Sequence, residues 1–379
     1  MATAAETHQP QRVTTLELFF DLVFVFTLTQ LTTVLFEAPN GRGLLRVVVM
    51  LAPIWWMYAG YAWMTNAVDT NTLARRLVLF AAMGAYFMLA LSIPDAFGGT
   101  GLAFGIAYLF IVVLHAALFT RASVASAVRA ILTLAPYNLF AAAVILAGGA
   151  LGGTAQYVLW GAAGVFEWLT PMLRGTSGFL VAPAHFVERH GLVVIVAIGE
   201  SVVAIGFGAS QLPVDGSLVA VAAAGLALSA CLWWLYFGGD DARAEQALEA
   251  LPQLERAQAA VRAFGHWHLP ILLGIIAIAA VAREATAHPF SSLTWARAAI
   301  LGAGVAVYLA GDVAFRQELG IGGIRWRTAG TLLSLAVIPV GAWLSPFAET
   351  AVLVAVLLGV IVAEGREWAE QGSNLRPWD

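Results

Sequence analysis

Apolar runs of about twenty residues fill most of this sequence, and they constrain the fold more than any other feature. A helix of about 20 residues rises about 1.5 Å per residue, which is enough to cross the ~30 Å hydrocarbon core of a bilayer. Only 11% of the 379 residues are charged, whereas about 25% is typical of soluble domains. We count twelve runs, centred on 16–36, 44–64, 77–94, 101–120, 129–148, 154–172, 191–210, 217–238, 267–283, 296–315, 328–345 and 348–364. The sequence therefore predicts an all-α polytopic membrane bundle of about twelve helices.

The basic residues exclude several classes of protein. All 19 are arginines, so there is no lysine to form a Schiff base with retinal or pyridoxal phosphate. A Walker-type ATPase is excluded for the same reason, because its phosphate-binding loop requires a lysine. The single cysteine, Cys231, excludes a disulfide framework, a redox pair and a thiolate zinc site. We expect no enzyme activity, no catalytic residue, no cofactor and no bound metal.

The distribution of the arginines predicts the orientation of the chain in the membrane, since cytoplasmic loops are rich in basic residues. Fifteen arginines lie in the N-terminus, in alternate loops and in the C-terminus, and the other four, Arg42, Arg46, Arg283 and Arg297, lie in the opposite loops. Both termini are therefore predicted to be cytoplasmic. No cleaved signal precedes the first run, so we expect the chain to insert through that run itself.

Two similar halves are predicted by an aromatic motif that occurs twice. Trp55-Trp56-Met57-Tyr58 lies in the second predicted helix and Trp233-Trp234-Leu235-Tyr236 in the eighth. Each follows a helix that begins with acidic residues and carries a polar residue about ten positions later. We assign these aromatic side chains to packing or to the membrane interface: Trp55, Trp56, Tyr58, Trp233, Trp234 and Tyr236.

The spacing of these motifs predicts two parallel six-helix repeats, an arrangement found among transporters. The first repeat covers 14–178 and the second 179–366. A polar insertion at 238–265 is expected to form a cytoplasmic amphipathic helix. Residues 1–13 and 367–379 are expected to be cytoplasmic tails.

The first predicted helix carries polar side chains that are costly in a membrane. Glu17 and Asp21 lie about 40° apart on a helical wheel, whereas Thr27 and Gln30 lie on roughly the opposite side. A charge near the bilayer centre costs about 2.5–3.5 kcal/mol on insertion scales, so we expect this helix to be central. Glu17 is assigned to the cytoplasmic end, paired with Arg12 or Arg189. For Asp21, a structural ion pair and a functional role both stay open.

The seventh predicted helix carries a second set of polar residues. If it is continuous from Ala184, then His185, Arg189 and Glu200 share one face. Glu200 lies about 13 Å beyond Gly191, inside the membrane, where it must be paired with arginine or histidine, protonated, or in contact with water. We assign eight residues of these two helices to a path for an ion or solute: Asp21, Gln30, His185, Glu188, Arg189, His190, Glu200 and Ser201.

Other polar residues are given structural interpretations. Asp312 and Arg316 are four residues apart, which predicts a local ion pair. His115 and Glu167 are interpreted as hydrogen-bonded packing residues. His185, Glu188 and His190 do not have the order of a zinc motif because Arg189 intervenes.

Five segments of the sequence are distinctive: 17–26 (ELFFDLVFVF), 188–191 (ERHG), 199–201 (GES), 232–236 (LWWLY) and 268–270 (HLP). With these segments the chain resembles, over nearly its whole length, the bacterial low-temperature-requirement protein A family. The resemblance implies a multi-pass inner-membrane protein that is linked to growth in the cold.

Two hypotheses of function follow from the carboxylates within the spans. The first is a transporter or channel-like protein in the inner membrane, in which ions or small solutes pass between helices one and seven. The alternative is a non-transporting scaffold or cold-stress sensor, in which the acids hold helices together. The expected partners are the lipid bilayer and an ion or solute, with a second copy of the chain as a further candidate. Nucleic acid is not expected, because the formal net charge is −4.

Overall fold

The computed structural model describes residues 13–68, 72–122, 125–176, 178–210 and 212–370, with only the backbone described at 66, 67 and 368–370. Every regular element within these ranges is helical, as the sequence predicts. The helices are α1 Thr15–Glu37, α2 Gly41–Ala67, α3 Leu73–Ser92, α4 Gly101–Phe119, α5 Ala125–Leu151, α6 Gly153–Arg174, α7 Pro183–Ala209, α8 Gly216–Phe237, α9 Asp240–Ala250, α10 Gln253–Ala260, α11 His268–Ala287, α12 Trp295–Leu319, α13 Arg325–Trp343 and α14 Pro346–Glu370. A π-helical turn, Val261–His266, leads into α11.

Twelve of these helices have 19 or more residues, and each coincides with one predicted apolar run. Ten helical stretches in the described ranges are long and apolar enough to cross a membrane. The helices α6 and α13 are not among the ten. The fold is thus an all-α multi-pass membrane bundle, as predicted.

Two predicted boundaries differ from the structure in ways that affect the site. Helix α7 begins at Pro183 rather than near 191, so His185 and Arg189 belong to the same helix as Glu200. The insertion is not one helix, because α9 ends at Ala250 and α10 begins at Gln253. Pro252 lies between them and has no backbone N–H to continue a helix. The predicted tails lie outside the described residues except for residue 13 and for α14, which continues to Glu370.

The helices contact one another in the same order in the two halves. Helix α1 packs against α2 and α3, and the chain continues through α3–α4, α4–α5, α5–α6 and α2–α6 contacts. Helix α7 packs against α8 and α11, followed by α11–α12, α12–α13, α13–α14 and α8–α14 contacts. The two sets are joined where α1 packs against α7 and α11.

The most enclosed part of this junction is α11 rather than α1. Thirteen of the 20 residues of α11 are buried, against 11 of 23 in α1. Leu18, Phe19 and Leu22 give α1 one exposed apolar strip. Gly274 lets α11 approach α12 closely, since a Cβ atom there would lie 2.6 Å from the carbonyl oxygen of Gly304.

Candidate functional site

The first turn of α1 places a carboxylate at the interface with α7. The hydroxyl of Thr14 accepts a hydrogen bond from the backbone of Glu17, and the Glu17 carboxylate accepts one from the backbone of Thr14 at 2.8 Å. This reciprocal arrangement is a capping box, which fixes the start of a helix. It also fixes the Glu17 carboxylate, which is only 4% exposed.

Arg189 on α7 joins three helices at this interface. Its Nη1 atom lies 2.9 Å from Oε1 of Glu17, and its Nη2 atom lies 3.2 Å from Oδ1 of Asp21. Nη1 also donates to the hydroxyl of Thr65 on α2. All four side chains are buried. The predicted pairing of Glu17 with Arg189 is thus confirmed, whereas the other predicted partner, Arg12, lies outside the described residues.

The charges of this buried cluster do not balance. Asp21 accepts a 2.8 Å hydrogen bond from the hydroxyl of Tyr58, while its second oxygen has no partner among the described residues. The two carboxylates of Glu17 and Asp21 face one guanidinium. His185 lies 3.2 Å from Glu17 and supplies a second positive charge only when its imidazole is protonated. A deprotonated cluster therefore carries one uncompensated negative charge in a buried site, which is unstable without a proton or a cation.

Two of the predicted path residues on α7 do not join this cluster. Glu188 is exposed, and it accepts a 3.4 Å hydrogen bond from the backbone of Val13. His190 is fully buried and donates through Nδ1 to the carbonyl of Phe186 at 2.8 Å. Its ring packs against Trp55 on α2 rather than against α1.

Glu200 faces the same helix, α1, further along the interface. It accepts a 2.8 Å hydrogen bond from Thr29 and has no arginine or histidine within ion-pair distance in the described part of the chain. The carboxylate of Glu200 is therefore not paired with a basic side chain. It must instead be protonated or in contact with water. Thr29 lies eight residues beyond Asp21, or about 12 Å along a helix, with buried Phe24 and Leu28 between them.

The last two path residues lie near Glu200. Ser201 is buried, its hydroxyl has no described partner, and it lines a small cavity of about 30 Å³ together with Ser229 and Thr286. Gln30 is half-buried, and no hydrogen bond of its side chain is found among the described residues.

The tyrosines of the two aromatic motifs have similar surroundings, whereas their tryptophans differ in burial. Tyr58 and Tyr236 are both buried, and each hydroxyl contacts a titratable side chain: Asp21 for Tyr58, and Nε2 of His268 at 2.7 Å for Tyr236. Trp55 is buried and donates to the carbonyl of Gly265 in the π-helical turn. The other three tryptophans of the motif, Trp56, Trp233 and Trp234, are partly exposed.

The sequence did not predict that His268 contacts the second aromatic motif. Its Nδ1 atom lies 3.0 Å from the carbonyl of Ala263, which only accepts hydrogen bonds, so Nδ1 carries a proton. In the neutral ring, Nε2 then accepts from Tyr236. Both motifs end in a tyrosine, Tyr58 and Tyr236, and this recurrence is the sequence signal that indicates a polar partner for each hydroxyl.

A second buried charge cluster also escaped the sequence interpretation. Asp240, at the start of α9, accepts from Arg316 at 2.7 Å and from Arg327 at 2.9 Å, and it also contacts Arg243. Glu364 on α14 lies 3.0 Å from the same two arginines, Arg316 and Arg327. The predicted local pair is wrong, because Asp312 contacts Arg327 on α13 instead of Arg316. Three acids here face three arginines, so this cluster is balanced in charge.

The structure offers no cluster of three or more histidine, cysteine, aspartate or glutamate side chains able to hold a metal ion within the residues that it describes. The site is therefore built from carboxylates, one arginine, one histidine and hydroxyls. These groups can bind protons or cations and can exchange hydrogen bonds.

Comparison with known proteins gives two matches. The model of the family described as bacterial low temperature requirement A protein matches residues 12–362. An uncharacterized protein, RA0937, of Rhizobium meliloti (strain 1021) is 29% identical over 310 residues, which cover 78% of this chain and 75% of that protein. No solved structure matches the chain.

Proposed function

The chain belongs to the bacterial low temperature requirement A family, and within that family we propose that it is a gradient-driven transporter or channel-like protein for protons or small cations. The path runs along the interface of α1 and α7. Asp21 and Glu200 are its binding residues, and no residue is assigned to catalysis. The absence of a phosphate-binding lysine leaves ion gradients as the energy source.

The observation that carries this proposal is the excess of negative charge beside Arg189. A cluster built only for stability gains most when its charges balance, as they do around Asp240. Glu17 and Asp21 share one guanidinium, and one oxygen of Asp21 has no partner among the described residues. While His185 is neutral, a proton or a small cation at Asp21 supplies the missing charge.

Glu200 supports the proposal as a second binding position on the same interface. Its only described hydrogen bond comes from Thr29 on α1, so it too is free to take up a proton or a cation. The half-buried state of Glu200 and Gln30 is consistent with access from water.

The arrangement in the membrane is part of the proposal. We place the protein in the bacterial inner membrane, with both termini in the cytoplasm because of the arginine distribution. We interpret the equal order of helix contacts in the halves, together with the repeated aromatic motif, as two parallel six-helix repeats.

Ion flux in liposomes tests this proposal. Purified protein is reconstituted, and flux is measured with a dye that senses internal pH, in the presence and absence of sodium and potassium gradients. We expect Glu200→Gln and Asp21→Asn each to reduce the flux by about tenfold or more, which corresponds to about 1.4 kcal/mol. Glu318→Gln is the matched control, because Glu318 pairs with Arg262 at the surface, away from α1.

Equal flux from the native protein and both variants would contradict the proposal. In that case a lowered melting temperature of the variants in detergent would assign the acids to interhelical packing in a scaffold or sensor. Lost flux with an unchanged melting temperature would support the path.

A further inference from the structure

Glu167 lies away from the α1–α7 interface, in the middle of the first half. It belongs to α6, its side chain is fully buried, and its Oε2 atom has no hydrogen-bond partner among the described residues. Its Oε1 atom lies 2.6 Å from the hydroxyl of Tyr108 on α4. The same hydroxyl lies 3.2 Å from the carbonyl oxygen of Pro53 on α2. Tyr108 thus connects three helices.

The number of available protons determines how these contacts can form. Tyr108 has one hydroxyl proton, but its oxygen lies within hydrogen-bond distance of two atoms, and the Pro53 carbonyl can only accept. If Glu167 were ionised, it could also only accept, and one of the two contacts would place two acceptors together. If Glu167 is protonated, it donates to Tyr108, and Tyr108 donates to Pro53. Both contacts are then hydrogen bonds.

The basic groups on the surrounding helices are directed elsewhere. On α6 itself, Arg174 lies over the ring of Tyr137 at 4.6 Å. On α2, Arg46 donates to the hydroxyl of Tyr157 at 2.7 Å. On α4, His115 contacts the carbonyl of Gly60.

Two further basic groups, on α5 and in the π-helical turn, also make no contact with the Glu167 carboxylate. Arg129, at the start of α5, is exposed, and His266 of the π-helical turn stacks on Trp168 at 4.9 Å. Glu167 therefore has no salt bridge to a basic group in the described residues. An ionised carboxylate in such a position would lack the pairing that buried charges require.

We propose that Glu167 is a proton-binding site, held as a neutral carboxylic acid that donates a hydrogen bond to Tyr108. Loss of the proton makes Glu167 an acceptor, so Tyr108 turns its own proton from Pro53 to Glu167. Proton occupancy at α6 thereby decides whether Tyr108 is bonded to α2. Helix α2 also carries Tyr58, the hydrogen-bond donor to Asp21.

Infrared spectroscopy of the purified, membrane-reconstituted protein tests this site directly. A protonated carboxylic acid has a carbonyl stretching band that an ionised carboxylate lacks. At neutral pH we expect the difference spectrum between native protein and Glu167→Gln to contain one such band, shifted in heavy water. Glu37→Gln is the control, because Glu37 is exposed at the end of α1 and takes no part in the contacts of Tyr108. Its difference spectrum should lack the band.

Tyr108→Phe tests the hydrogen bond separately and does not depend on the folding of Glu167→Gln. Removal of the hydroxyl takes away the acceptor of the Glu167 proton, so we expect the carbonyl band to stay but to move in frequency. A Glu167→Gln spectrum without loss of the band would overturn the proposal, because Glu167 would then be ionised in the native protein. An unmoved band in Tyr108→Phe would overturn the proposed donor direction.

Discussion

Nη1 of Arg189 lies 2.9 Å from Oε1 of Glu17, across the interface of α7 and α1, and both side chains are almost completely buried. This contact joins the capped first turn of α1 to the middle of the first half of α7. It brings together two polar segments that lie more than 170 residues apart in the sequence.

Removal of Arg189 should strongly destabilise the protein. Arg189→Met leaves Glu17 and Asp21 as two buried carboxylates without a guanidinium, and breaking a buried pair in this way costs about 3–5 kcal/mol. The melting temperature in detergent should fall accordingly. The triple variant Arg189→Met, Glu17→Gln, Asp21→Asn removes the charges together and should recover most of the loss. No recovery in the triple variant would mean that Arg189 acts through packing rather than charge.

The hydroxyl of Tyr58 should contribute measurably to stability. Tyr58→Phe removes the donor to Asp21, and a hydrogen bond to a charged group contributes about 1.5–3 kcal/mol. Tyr86→Phe is the matched control, since Tyr86 is equally buried and its hydroxyl has no partner among the described residues. We expect the control to be neutral or stabilising in thermal unfolding. Equal destabilisation by both variants would contradict the assignment of the Tyr58 hydrogen bond.

The balanced cluster should depend on Asp240. Asp240→Asn weakens the contacts to Arg243, Arg316 and Arg327 at once, so we expect a loss of about 3–5 kcal/mol, as for other broken buried pairs. The neighbouring Asp241→Asn is the control, because Asp241 makes no ion pair within the described ranges and is only half-buried. Thermal melting of both variants checks the difference. A control that melts as early as Asp240→Asn would indicate a general effect of charge in α9.

A methyl group at Gly274 should separate α11 from α12. The added Cβ would lie 2.6 Å from the Gly304 oxygen and 2.7 Å from the backbone nitrogen of Tyr308. Because both are backbone atoms, the helices must shift, and overpacking of this kind costs about 1–3 kcal/mol. Gly84→Ala in α3 has open space around the new atom and should be neutral or stabilising. The comparison is made on melting temperatures, and an unaffected Gly274→Ala would show that α11 and α12 can separate freely.

The sequence predicted the positions of the long helices and which face of α7 contacts α1. Apolar runs of bilayer length specify where the helices lie, and the 100° wheel placed His185, Arg189 and Glu200 on one face of α7, where all three contact α1. A helical wheel predicts only which side chains of the same helix lie close together. It therefore suggested that Asp312 pairs with Arg316, although Arg327 on α13 is the actual partner.

A helical wheel cannot predict contacts between side chains on helices that are distant in sequence. Asp240 lies in the insertion that the sequence predicts as a cytoplasmic amphipathic helix, and nothing in its local sequence indicates that Arg316 of α12 and Arg327 of α13 bind it. The same holds for Glu167, whose partners Tyr108 and Pro53 come from two other helices. Only the packing of the bundle brings these groups together.

The π-helical turn at Val261–His266 has a consequence for insertions and deletions in this family. A turn with i→i+5 hydrogen bonds holds one residue more than an α-helical turn. Deletion of one residue from this turn should therefore give a plain α-helix and leave His268 directed at Tyr236. Deletion of one residue later in α11 would instead rotate the rest of the helix by about 100°. A one-residue deletion in this turn should therefore keep the faces of α11 in register, whereas the same deletion within α11 should not.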